Sequence, residues 1–134
     1  MDRKELKELF NNPNRYGTLS TSDDKGNLNA GIFNSPQMVD ENTVVMALGN
    51  NRTLANLKKH PRAVFLFFEP GPDPFTWKGA RVYLLALRIE SHGTLYDTMV
   101  EQVRAMAGDE AAGGIRAAVT FRIEDARSLI DSGQ

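Results

Sequence analysis

The sequence predicts a mainly β protein, a small antiparallel barrel with flanking helices. The first observation is a set of six strand-like segments, at 16–22, 28–33, 43–48, 63–68, 82–89 and 117–123. The second is that 63–68 is apolar on both faces, a pattern of a strand covered on both sides, and 82–89 is another strongly apolar strand. The third is that helical periodicity occurs only in isolated places, too irregularly spaced for a doubly wound parallel sheet.

In chain order, Leu6, Leu9 and Phe10 stand at i, i+3 and i+4 and predict a short amphipathic helix over 3–11, ended by Asn11-Asn12-Pro13-Asn14. Tyr16 to Ser22 is a Thr- and Ser-rich strand. Asp23-Asp24-Lys25-Gly26 is a turn, with Gly26 free to take positive φ. Leu28, Ala30 and Ile32 then alternate with Asn29, Gly31 and Phe33, so 16–33 reads as a hairpin, and Pro36 closes its second strand or kinks it. Asp40-Glu41-Asn42 makes a second turn before the apolar strand 43–48. A helix over 53–60 buries Leu54 and Leu57, takes Thr53 as its N-cap and stops before Pro61. The strand 63–68 runs into a loop, 69–77, that holds Pro70, Gly71, Pro72 and Pro74. After the strand 82–89, Tyr96, Met99, Val100, Val103 and Met106 have helical spacing, and Gly108 and the Ala/Gly stretch to Gly114 end that helix. Ala117, Val119, Phe121 and Ile123 alternate with Arg116, Ala118, Thr120 and Arg122 in a last strand with one wet face. No repeat or linker interrupts the pattern, and residues 1–134 are expected to form a single domain.

Composition removes several function classes. Sixteen basic against seventeen acidic residues give a net charge of −1, which argues against a nucleic-acid or membrane-surface binder. With no cysteine there is no disulfide framework and no cysteine nucleophile. With His60 and His92 as the only imidazoles, a zinc or iron site lacks its usual ligands. No signal peptide or membrane-length apolar run is present, so a cytoplasmic location is the expectation. No nucleophile elbow, Walker motif or dinucleotide fingerprint occurs, and no catalytic acid, base or nucleophile is singled out.

The stretch with most chemical content is Gly49-Asn50-Asn51-Arg52-Thr53-Leu54-Ala55-Asn56. It leaves a strand and opens a helix, where free N–H groups and the positive end of the dipole attract anions. Arg52 offers a planar fork of donors, Thr53 a hydroxyl, and Asn56 lies one turn further on the face of Arg52. Taken alone, a capped helix start with a solvated Arg explains these residues at least as well. A second constellation is Asn29-Ala30-Gly31-Ile32-Phe33-Asn34-Ser35, where small residues let a flat ligand approach the backbone. A third is Met46-Ala47-Leu48-Gly49-Asn50, whose backbone end can pair with the polar edge of a heterocycle. Either is equally an ordinary strand running into a turn.

Together, and in this order, the Gly-Thr-Leu-Ser-Thr strand, the Asp-Lys-Gly turn, Phe33-Asn34-Ser35, the apolar strand, Gly49 and Arg52-Thr53-x-x-Asn56 resemble the FMN-binding split-barrel family. These are the pyridoxamine 5'-phosphate oxidase-like flavoproteins, and the likeness is to the short bacterial members, over roughly residues 14–123. The resemblance implies a six-stranded antiparallel split barrel that dimerises with FMN at the subunit interface. It implies that Arg52 and Thr53 hold the FMN phosphate and that Gly31, Ile32 and Phe33 run along the cofactor. Leu48, Gly49 and Asn50 would lie beside the isoalloxazine ring, and Asn56 would support the phosphate loop. The chain departs from some relatives in having Ala112-Gly113-Gly114-Ile115 in place of an aromatic flavin cover, for which Trp77 or Phe75 can substitute, and Ile32 in place of a hydroxyl residue. The basic residues that grip pyridoxal phosphate have no clear counterpart. The implied function is a small FMN-dependent oxidoreductase or electron carrier that meets a redox partner or a small-molecule substrate. The same barrel also carries F420 or haem in relatives, and a cofactor-free binding module is the further alternative.

Overall fold

The computed structural model describes residues 1–131. Strand β1 (Tyr16–Ser22) turns back through the Asp23 loop into β2 (Leu28–Ile32), and the turn is built by the Asp23 carboxylate, which accepts from the backbone N–H groups of Lys25 and Asn27. Gly26 takes φ 85°, as the turn requires. A two-residue strand β3 (Gln37–Met38) precedes β4 (Thr43–Gly49). Then come β5 (Arg62–Glu69), β6 (Lys78–Glu90) and β7 (Ile115–Ser128). All pair antiparallel in one sheet of order β2-β1-β5-β6-β7-β4-β3.

The expectation of six strands in a barrel is corrected on two points. The sheet has seven strands, and it is not closed, because β2 and β3 at its two edges do not pair. The seventh strand, β3, is too short to show any alternation in sequence. The edges stay apart because the link between them binds through other groups. Ser35 Oγ bonds to both the N–H and the C=O of Ala47, at 3.2 and 3.1 Å, so a side chain takes the place of a strand beside β4. Pro36 has no N–H to give to a ladder. β6 and β7 are also longer than read, since their ends carry charged residues that obscure the apolar pattern.

The curled sheet encloses the main core. Leu19, Phe65, Phe67, Val82, Leu84, Val119 and Phe121 point inward and are buried. Helix α1 (Arg3–Phe10), capped by Asp2, adds Leu6 and Phe10; the Phe10 ring meets Phe65 and Phe67 at 5.2 and 5.1 Å. Helix α2 (Arg52–Lys59) inserts Leu54 and Leu57 and packs on β1, β2 and β4. Helix α3 (Thr94–Ala107) covers the outer face of β4 and β7, where Met99 packs on Val45, Ala47 and Ala118. The alternate residues of β4 therefore enter two cores, which explains its continuous apolar run. The Ala/Gly stretch beyond Gly108 forms a further short helix, α4 (Asp109–Gly113).

Among the described residues no helix covers the outer face of β1, β2, β5 and β6. Val64, Leu66 and Phe68 of β5 are half-buried there, and Leu28 and Ile32 of β2 are 82 % and 75 % exposed. Only Phe68 has a large cover, with Trp77 stacked on it at 4.7 Å and anchored by its indole N–H to Gly71 C=O.

Candidate functional site

The start of α2 lies against the inner side of the β1–β2 hairpin. Asn51, not Thr53 as expected, is the N-cap, its Oδ1 accepting from Leu54 N–H at 2.9 Å. This frees the Thr53 hydroxyl for another role. Thr53 is buried, and its Oγ1 accepts from Asn29 Nδ2 of β2 at 3.3 Å. A Cβ placed on Gly31 would stand 3.7 Å from the same oxygen and 2.9 Å from the Phe33 ring, so the missing side chain lets that ring lie close against the strand backbone beside Thr53. Asn56 is buried one turn on and donates to Thr21 Oγ1 of β1 at 3.1 Å, which locks the helix to the hairpin.

Arg52 opens the helix and is exposed. The first turn of α2 holds no acidic residue, and its basic residues Lys58 and Lys59 are in the last turn. A cation at the positive end of a helix dipole opposes the usual preference for Asp or Glu there. Arg52 and the first-turn N–H groups not used by the Asn51 cap thus form a donor set that no described carboxylate pairs with, and the buried Thr53 hydroxyl lies beneath it.

The remaining predicted residues divide by face. Phe33 is half-buried and packs on the main core. Ile32 points to the opposite side of β2 from Gly31 and is exposed. Leu48 is buried in the core, so near a ligand it has only its backbone to offer. Gly49 sits at a β-bulge where a Cβ would come within 3.2 Å of Gly114 C=O, and Asn50 is exposed in the turn that follows. Two cavities border β2: one of about 490 Å³ at its N-terminal end, by Leu28 and Ala30, and one of about 740 Å³ at its C-terminal end, by Ile32 and Asn34. Neither is lined by Arg52, which is exposed, or by Thr53, which is buried against Asn29.

Sequence reasoning missed Asn51 as the cap, although it stands three residues before Leu54, where a cap donor-acceptor pair is expected. It also passed over Arg15, which is buried at the end of the core.

The arrangement defines a split barrel of the fold shared by FMN-binding and pyridoxamine 5'-phosphate oxidase-like proteins, in keeping with the resemblance seen in the sequence. An FMN-binding protein from Syntrophomonas wolfei subsp. wolfei superposes with a TM-score of 0.79 at 22% identity, over 96% of this chain and 90% of that one. An F420 reductase matches with 0.69 at 13% identity, over 90% and 94% of the two chains. HutZ, the haem storage protein from Vibrio cholerae, matches with 0.64 at 18%, over 92% and 89%. The sequence matches no protein-family model and no curated protein. Among the described residues no helix is long and apolar enough to cross a membrane.

Proposed function

We propose that the chain binds FMN, with the phosphate at the start of α2, and works as a small oxidoreductase or electron carrier. The observation that carries this reading is the exposed Arg52 at the N-terminus of α2, with no acidic residue in the first turn and the Thr53 hydroxyl directly beneath it. A phosphate at that point satisfies the free N–H groups and offsets the charge of Arg52. Bound flavin supplies the redox chemistry, while the chain supplies binding and orientation. Arg52 and Thr53 would hold the phosphate; Gly31 would leave room along β2; the backbone at Leu48, Gly49 and Asn50 would face the ring. Asn56, bonded to Thr21, keeps the helix start in place from behind.

Support for FMN over the longer, more acidic deazaflavin comes from the placing of the other cations. Lys58 and Lys59 lie in the last turn of α2, about 9 Å along the axis from Arg52 at 1.5 Å per residue, and so point away from the proposed phosphate. The uncovered outer face of β1, β2, β5 and β6 supports a homodimer, with FMN at the subunit interface as the resemblance implies.

The absorption spectrum of the purified protein, with mass spectrometry of what it releases on denaturation, tests the cofactor. A yellow protein that releases FMN supports the reading. A colourless protein that also ignores added FMN overturns it, and release of deazaflavin or haem transfers the site to that cofactor. Arg52→Ala is expected to weaken FMN binding about ten- to a hundredfold, the loss of one or two bonds to a charged group, with stability unchanged because Arg52 is exposed and outside the cap. Unchanged affinity in a fluorescence titration would remove Arg52 from the site.

A further inference from the structure

Among the described residues, Arg15 is the one charged side chain that is buried, at 8 % exposure. Its guanidinium lies across the end of the barrel against the rings of Phe10 and Phe65, 5.4 and 5.3 Å from their centres. Nε donates to Phe10 C=O at 2.6 Å and Nη2 donates to Pro36 C=O. These contacts use two of the roughly five N–H donors of a guanidinium and neutralise none of its charge. No described carboxylate is within ion-pair distance of it. Burial pulls its pKa down from the ordinary value, yet an arginine remains charged at neutral pH.

Arg15 also lines the cavity of about 740 Å³ at the C-terminal end of β2, a size within the ~300–1,000 Å³ of small-molecule sites. No acidic side chain lines that cavity. To the same cavity α3 presents Met99, Val103 and Met106, and six neutral carboxamides, among them Asn34 and Gln102, make up much of the remaining lining. The cavity thus pairs one buried positive charge with an adaptable apolar strip and neutral hydrogen-bonding groups.

We propose that this cavity binds the carboxylate of a small organic acid, with Arg15 as its counter-charge and the Met99–Val103–Met106 face of α3 along its carbon skeleton. A carboxylate is favoured over a phosphate because one buried cation balances one negative charge, whereas a phosphate dianion leaves one in excess. The site borders Ile32 and Asn34, but it requires no flavin, so it goes beyond the FMN reading and fails or stands separately from it.

The test uses the full-length protein in its purified cofactor state, labelled with ¹³C at the methionine methyl groups. The probes are 3-phenylpropanoate, its uncharged amide 3-phenylpropanamide, and inorganic phosphate. The acid should shift the Met99 and Met106 signals saturably and leave the core residues Met38 and Met46 in place. The amide and phosphate should bind at least about tenfold more weakly. Arg15→Met should abolish the shift. Because that variant removes two structural bonds, Gln102→Glu serves as the second test; it lies on the exposed side of α3, sets a like charge in the cavity, and should weaken the acid at least about tenfold. The proposal is overturned by no saturable shift with the acid, by equal binding of the amide or of phosphate, or by a neutral Gln102→Glu. Flavin content does not enter the readout, so a failure here is distinguishable from a failure to bind FMN.

Discussion

Asn51 and Thr53 stand two residues apart at one helix start and serve different ends. Asn51 satisfies Leu54 N–H and belongs to the fold; Thr53 turns inward to Asn29 beside Gly31 and belongs to the proposed site. Both are good capping residues, so sequence alone had no means to say which caps. The two substitutions should separate cleanly. Asn51→Ala is expected to lower unfolding free energy by about 1 kcal/mol in a urea melt and to leave FMN affinity near wild type. Thr53→Val keeps the shape, and is expected to weaken FMN about tenfold while changing the melt less than Asn51→Ala does. The reverse pattern would exchange their roles.

At the scale of elements, the β1–β2 hairpin is what brings Asn29 and Gly31 under α2, and Asp23 holds its turn. The Asp23 carboxylate accepts from the Asn27 side chain and from the N–H groups of Asn27 and Lys25, which together hold its pKa below the usual aspartate range. A depressed folded-state pKa means that the turn is stabilised at pH values above the unfolded aspartate pKa and loses that support as pH falls through the folded one. NMR titration of Asp23 should therefore give a midpoint below that of an unstructured aspartate, and Asn27→Ala, which removes the largest cause, should move it upward. The hairpin was readable because its turn chemistry is local: Asp, Gly and flanking alternation lie within a few residues. β3 was not, because two residues show no alternation, and Met38 is held on one side by Val44 of β4 and on the other by the distant Asn11 side chain, which bonds both its N–H and its C=O.

At the scale of the whole molecule, the sheet has two kinds of outer face. That of β4 and β7 is closed by α3; that of β1, β2, β5 and β6 carries half-buried Val64 and Leu66 and exposed Leu28 and Ile32. The apolar run 63–68 was read as a strand covered on both sides, and the single chain covers only one of them. The proposed second copy, seated on the open face, would account for the difference. Sedimentation of the wild-type protein is expected to give a dimer, and Leu28→Glu with Ile32→Glu, both far from the core, a folded monomer with reduced FMN affinity. A monomeric wild type, or a double variant that remains dimeric, would reject this interface.

What the sequence settled alone was whatever depends on neighbours in the chain: the strand and helix types, the Asp23 turn, the short α1 and α2 and the residues that gather at the start of α2. Side-chain period and turn chemistry are properties of a few consecutive residues, so they survive without the fold. The tertiary structure decided the rest. It left the sheet open, since Ser35 rather than a strand bonds to Ala47. It put Gly31 and Ile32 on opposite faces of β2, one toward Thr53 and one toward a cavity. It buried Arg15 against Phe10 and Phe65, which are 5 and 50 residues away in sequence. Burial and charge compensation depend on which distant segments meet, and no local pattern around Arg15 encodes that it would lose its water without gaining a carboxylate.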